Sequence, residues 1–219
     1  MEKKKLDKTA AIILANELSK ELPEDKGTTL LCNKPLIKYV FNSVNSIVDE
    51  VIIVTNTKER AEKYAKVLPK TALFVIDRQV SQNSLSGAIA GFEAVQSKYA
   101  LLLSYDSPFV NKELAMFLLD LAAGKTAVIP RNANNETEPL CAVYQTKIVL
   151  EIAKKVSEEG TIDLQTFVEK LQGVRYISKM IAEQIDPELQ SFFSVNSLLD
   201  LKRATVILQG KNKLSKNKH

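Results

Sequence analysis

Histidine is almost missing from this chain: its one copy, His219, is the last of 219 residues. That excludes a Ser-His-Asp triad, a Cys-His pair and a histidine-based zinc site from the ordered part of the fold. The two cysteines, Cys32 and Cys141, stand far apart without a metal-binding or redox spacing. The basic start, MEKKKLDK, is followed by too short an apolar stretch for a signal peptide, so both thiols are expected to be reduced, in the cytoplasm. No apolar run approaches the ~18 residues of a membrane span, and no membrane partner is expected. Glycine is scarce, with seven in the chain. Neither G-x-x-x-x-G-K-[ST] nor G-x-G-x-x-G occurs, so the two commonest phosphate loops are absent. The net charge of +4 gathers in Lys3 to Lys5 and in the tail from Gly210 to His219. With no basic stripe interleaved with aromatics, a nucleic-acid partner is not expected. Chemistry is left to carboxylates, lysines, amides and a metal held by oxygen.

What is present centres on the stretch YALLLSYDSPFV, Tyr99 to Val110. Its short apolar run without alternation suits a strand buried on both faces of a parallel sheet. Asp106 follows where that strand leaves the core, and the carboxyl ends of such strands form the ligand crevice of open α/β sheets. Ser107-Pro108 stops the strand, and Asn111 is placed to cap a helix over Lys112 to Ala123. Upstream, strands are expected at Ala10 to Ala15, Val51 to Thr55 and Ala72 to Ile76. Helices are expected over Pro35 to Val48, over Lys58 to Leu68, and from a cap at Ser84 or Ser86 to about Ser97. This βα alternation argues for a doubly wound, mostly parallel sheet with right-handed crossovers. Downstream, strands are expected at Ala127 to Pro130, Leu140 to Tyr144, Val174 to Ile177 and Phe192 to Val195. Helices are expected at Lys147 to Ser157, Asp163 to Leu171 and Leu198 to Thr205. With no repeat and no linker, residues 9–205 read as a single domain and 206–219 as a basic, solvated tail. Gly27, Gly87 and Gly91 fall on the crevice side, where a missing Cβ permits either a ligand or a packed helix to approach. The sequence gives no oligomeric state.

Several short motifs, taken in order, resemble the MobA-like nucleotidyltransferases, the family that includes molybdenum cofactor guanylyltransferase. The family's first strand runs into L-A-G-G, here Leu14-Ala15-Asn16-Glu17. A lysine loop follows, here Asp25-Lys26-Gly27, and then a K-P-L helix start, here Lys34-Pro35-Leu36. The G-P-x-A-G segment corresponds to Gly87 to Gly91, and the D-x-P-F strand end to Asp106 to Phe109. The P-L-x-A-x-Y strand corresponds to Pro139 to Tyr144. The closing F-x-N-x-N-T-x-x-D-L segment is matched by Phe193 to Leu201. The resemblance covers about residues 9–204. It implies a Rossmann-like nucleotidyltransferase fold with a small antiparallel element toward the C-terminal half. It also implies transfer of GMP from GTP to the phosphate of a molybdopterin-type acceptor, with release of pyrophosphate. An acceptor phosphate is already an anion near neutral pH, so such a reaction needs no histidine base. By the same resemblance Leu14, Ala15, Asn16, Lys26, Asp77, Gly87 and Asp106 bind the nucleotide, with Lys26 on the triphosphate and Asp77 accepting from guanine N1 and N2. Lys26 and Asp106 are the catalytic pair. Asp106 holds Mg²⁺, with Asn196 as a second oxygen ligand, a set that suits a hard cation with retained waters.

The chain departs from the family pattern at Asn16-Glu17, which replace two glycines. A unit charge such as that of Glu17, ~5 Å from a phosphate charge, costs about 3 kcal/mol at an effective dielectric near ~20. Lys20 is the candidate substitute for the family's arginine in the same loop. Two alternatives therefore stand beside the guanylyltransferase reading. One is a related transferase with CTP as donor or another phosphorylated acceptor, which Arg131 and the polar loop from Asn132 to Glu138 would meet. The other is a non-catalytic nucleotide- or cofactor-binding homologue.

Overall fold

A computed structural model of the chain describes residues 7–16, 25–79, 83–161 and 163–216, with side chains to residue 210. Its centre is β1 (Thr9–Ala15), whose last six residues are all buried. β4 (Glu50–Thr55) pairs with it on one side and β6 (Tyr99–Ser104) on the other, both parallel, so that Ile12 lies beside Ile52 and Leu102. β5 (Ala72–Ile76) adds outside β4. Beyond β6 come β8 (Ala142–Gln145), antiparallel to both neighbours, then β7 (Ala127–Arg131) and β9 (Val174–Ser178), parallel to each other. The seven-stranded order is β5-β4-β1-β6-β8-β7-β9. The fold is thus α/β with a mostly parallel sheet, and β8 is its antiparallel element in the C-terminal half.

Strand alternation sends successive residues to opposite faces. Ala11, Ile13, Val51, Ile53, Leu101 and Leu103 pack against α1 (Leu36–Val44), α2 (Lys58–Ala65) and α4 (Lys112–Asp120). Ala10, Ile12, Leu14, Ile52, Val54 and Leu102 pack against α3 (Ser84–Ala94), α5 (Thr146–Glu158) and α6 (Leu164–Glu169). Gly91 sits in that second layer, where a Cβ would lie 2.5 Å from Ile12 Cγ2. Its missing side chain lets α3 seat directly on β1.

Several boundaries differ from the sequence reading. Asn83, not Ser84 or Ser86, caps α3: its side chain accepts from Ser86 N at 2.8 Å while Ser86 Oγ accepts from Asn83 N at 3.0 Å, a reciprocal capping box. Pro35 stands at the N-cap of α1 rather than in its first turn, and it also ends a two-stranded hairpin, β2 (Leu30–Leu31) with β3 (Lys34–Pro35). Its turn residues, Cys32 and Asn33, have φ of 48° and 65°. The expected strand at Phe192 to Val195 is not a strand. A 3-10 segment (Pro187–Phe192) fills its start, and one backbone bond, from Val195 N to the Asp106 carbonyl, ties its end to the crevice. α7 (Lys179–Ile185) was not foreseen. α8 (Leu198–Lys216) runs well beyond Thr205, because Ala204, Ile207 and Leu208 pack with Leu31 and Leu36 across the hairpin. Among the described residues no helix is long and apolar enough to cross a membrane.

Candidate active site at the carboxyl ends of β1 and β6

From β1 the chain moves outward to β4 and β5, then α3 carries it back across the sheet to β6. The order reverses between β1 and β6, and the loops leaving these two strands diverge and open the crevice that such sheets use for ligands. The backbone closes the floor: Tyr105 N donates to the Leu14 carbonyl at 3.1 Å, with Leu14 and Ala15 buried beneath it.

Three of the expected residues meet there. Lys26 Nζ donates to Asp106 Oδ2 at 2.6 Å and to Asn196 Oδ1 at 2.7 Å. The Lys26 and Asp106 side chains are 8% and 7% exposed. Asp106 Oδ1 accepts from Ser104 Oγ at 2.7 Å, which fixes the carboxylate plane. Asn196, 170 positions after Lys26, is held beside Asp106 by the backbone bond from Val195 N to the Asp106 carbonyl. Two oxygens from separate segments thus converge on one positive charge, a donor set that fits a hard divalent cation completed by water and phosphate oxygens. Among the described residues no cluster of three or more His, Cys, Asp or Glu is arranged to hold a metal by protein side chains alone.

Asn16, Asp77 and Gly87 form a second group at the β1–β5–α3 side. Asp77 is 1% exposed. Its Oδ2 accepts from Ser86 Oγ at 2.6 Å and Asn16 Nδ2 at 3.2 Å, and its Oδ1 from Gln79 N at 3.0 Å. Asn16 Nδ2 also donates to the Asn83 carbonyl at 2.8 Å, while its buried Oδ1 has no partner among the described residues. A Cβ on Gly87 would lie 2.5 Å from Asn16 Nδ2, so this glycine makes room for the Asn16 carboxamide. Glu17 and Lys20 lie outside the described residues. The Arg131 guanidinium lies 4.2 Å from the Tyr176 ring centroid, on β9.

Residues that the sequence reading did not single out support the Lys26 loop from behind. Asp25 Oδ2 accepts from Arg60 Nε at 2.7 Å, and its Oδ1 accepts from Tyr64 OH at 2.5 Å and Gly27 N at 3.0 Å. Arg60 also donates to Asn56 Oδ1 and to Tyr64 OH, both at 3.1 Å. Burial pushes the Tyr64 hydroxyl well above the usual phenol range against the pull of Arg60, and its bond to Asp25 adds to the rise, so it stays a donor. Burial likewise raises Tyr105. Their i, i+4 spacing on the face that also carries Ala61 marks Arg60 and Tyr64 as inward-facing, but does not name the loop they meet.

Beside Asp106, a cleft of about 300 Å³ is lined by Ser107, Ser194, Leu140, Gln165 and Phe192. Glu138, at its rim, pairs with Lys179. Both cysteines are free thiols, and burial pushes that of Cys141 up to about 12.

A model described as the MobA-like NTP transferase domain matches residues 11–174. The chain is 32% identical over 202 residues to a probable molybdenum cofactor guanylyltransferase of Methanosarcina acetivorans, covering 90% of this chain and 87% of the relative. It is 30% identical over 197 residues to the probable counterpart in Methanosarcina mazei, covering 88% of each. Among solved structures, the molybdopterin-guanine dinucleotide biosynthesis protein A from Archaeoglobus fulgidus superposes with a TM-score of 0.79 at 26% identity, over 92% of this chain and 99% of that one. The family match takes in β6, Lys26, Asp106 and the group of Asn16, Asp77 and Gly87, with Asn196 beyond its end, and on it the chain belongs to the MobA-like NTP transferase family.

Proposed function

We propose that the protein is a guanylyltransferase that transfers GMP from GTP to the phosphate of a molybdopterin-type acceptor and releases pyrophosphate. One observation carries the reading: Lys26, Asp106 and Asn196 converge at the switch point of a MobA-like fold, where a triphosphate and a cation must be held together. The names of the relatives supply the donor base and the acceptor class.

The acceptor phosphate is the nucleophile, and it attacks the α-phosphorus as pyrophosphate leaves. Both reactants are anions, so the work of the protein is to hold them in line and offset the charge that develops. Asp106 and Asn196 would hold Mg²⁺, which supplies Lewis-acid neutralisation of phosphate charge when bound. Lys26, which pairs with Asp106 in this structure, would give its ammonium to the triphosphate oxygens. Ser104 keeps the Asp106 carboxylate oriented during that exchange. The cleft beside Ser107 and Ser194 lies next to Asp106 and would take the acceptor.

The non-catalytic alternative has its own observation. Asn16 stands where the family has glycine, and its carboxamide fills the space between Asp77 and Gly87. Asp77 is engaged by Asn16, Ser86 and Gln79, so a base must displace one of these donors to reach it. Calorimetric titration with GTP, CTP and ATP, with and without Mg²⁺, tests the proposal. Micromolar, Mg²⁺-dependent binding of GTP that is lost in Asp106→Ala is the expected result. Selective CTP binding redirects the donor. Binding of no nucleotide by a folded chain, restored by Asn16→Gly/Glu17→Gly, establishes the non-catalytic reading instead.

A further inference from the structure

Asp25 and Lys26 are chain neighbours of opposite charge, yet each is ion-paired elsewhere. Lys26 reaches Asp106, while Asp25 turns to Arg60 on α2. A carboxylate on the same loop is the nearest competitor for the lysine's ammonium. Arg60 removes that competition, and the pair is well shielded, with side chains 8% and 11% exposed. Tyr64 fixes the other carboxylate oxygen. The ring of Tyr64 also shapes the backbone just after Lys26, since a Cβ on Gly27 would lie 2.5 Å from its hydroxyl. Tyr105, the residue before Asp106, joins the two ion pairs: Lys26 Nζ and Arg60 Cζ lie 5.7 Å and 5.9 Å from its ring centroid.

We infer that Asp25, Arg60 and Tyr64 are positioning residues for Lys26, holding its loop through Asp25 and reserving its ammonium for Asp106, Asn196 and incoming phosphate. The inference rests on the reading of Lys26 as the triphosphate's ligand. It separates these residues from an ordinary stabilising ion pair, because their effect on nucleotide must pass through Lys26.

The test is GTP binding by calorimetry in Mg²⁺, on the full chain. Tyr64→Phe removes one hydroxyl and keeps the ring. It is expected to weaken GTP about tenfold, the size of a lost charge-assisted hydrogen bond. Lys26→Met weakens binding more, and Tyr64→Phe added to it changes affinity by less than about twofold, because the mediator is already gone. Losses that multiply in the double variant overturn the proposal, as does unchanged binding in Tyr64→Phe. If Lys26→Met itself binds GTP as the parent does, the reading of Lys26 fails and takes this inference with it.

Arg60→Met adds a rescue test. It frees the Asp25 charge to draw Lys26 away, and about thirtyfold weaker binding is expected. Arg60→Met/Asp25→Asn should regain most of that loss, and no regain overturns the proposal. A nucleotide-free readout guards against simple unfolding. In Tyr64→Phe, hydrogen exchange at the Gly27 amide should quicken about tenfold while β1 and β6 stay protected. Protection lost throughout, or unchanged at Gly27, counts against the positioning role.

Discussion

Asp106 and Asp77 both follow strands into the same crevice, and both are buried, but they are satisfied in opposite ways. Asp106 is paired with a cation, Lys26, on a flexible four-carbon stem. Asp77 is held by neutral donors fixed in place: the Ser86 hydroxyl, the Asn16 amide and the Gln79 backbone, close to the N-terminus of α3. One cation can be exchanged for another at Asp106 without moving the backbone. At Asp77 a ligand must displace fixed donors, one of which, Ser86, also forms the α3 capping box. The Asp106 end is thus held by a charge on a movable stem, and the Asp77 end is braced by fixed neutral donors.

The largest expected effect breaks the Asp106 end. Asp106→Asn keeps the shape and removes the charge. GMP transfer should fall by about a thousandfold or more, the scale of a lost electrostatic contact at a developing charge. A loss under tenfold in a direct assay of GTP consumption would make Asp106 a turn residue after all. Next is Lys26→Met, which leaves a buried carboxylate without its cation. Breaking such a pair costs about 3 kcal/mol, read by denaturant unfolding. If the Asp106–Asn196 site accepts any cation, Mn²⁺ without nucleotide should then stabilise Lys26→Met and leave the parent chain unmoved. Equal Mn²⁺ shifts in both would mean that the metal binds elsewhere.

The contrast between the two ends also marks where sequence reasoning worked. Asp106 was legible because a local pattern, apolar run then Asp-Ser-Pro, both ends a strand and places the carboxylate. β1 and β4 were legible for the same reason, since buried strands read as short apolar runs, and β5 carries such a run although it is a partly exposed edge strand. Arg60 and Tyr64 were not, since they act on a loop 35 and 39 residues away, and only the sheet order brings α2 behind it. The Phe192 to Val195 segment misled because Phe193 and Val195 pack with α8 and Phe109, and Phe192 with the main core, rather than in a ladder. α8 outran its expected end because the basic charges of the tail hid apolar positions at helical spacing. Gly87 stood between a ligand reading and a packing reading, and only the coordinates of Asn16 reveal what it faces.

That last point gives the smallest of the predicted effects and the sharpest probe of the braced end. Gly87→Ala would place a methyl 2.5 Å from Asn16 Nδ2. Asn16 is 1% exposed and bonded to Asp77 and to the Asn83 carbonyl. It therefore moves only by giving up those bonds. A destabilisation of about 1–3 kcal/mol is expected, as for other overpacked sites. Asn16→Gly, which restores the family's residue, removes the obstacle but also one of Asp77's donors. Because Ser86 and Gln79 still hold the carboxylate, this costs about 1 kcal/mol, a single neutral hydrogen bond. Combined, the two changes should be less harmful than their sum by about 1–2 kcal/mol, since the methyl then occupies the vacated carboxamide volume. Such coupling, measured in a double-mutant unfolding cycle, would mean that Gly87 exists to seat Asn16. Strict additivity would mean that α3 yields to the methyl independently of Asn16, and that the braced end is looser than its hydrogen bonds suggest.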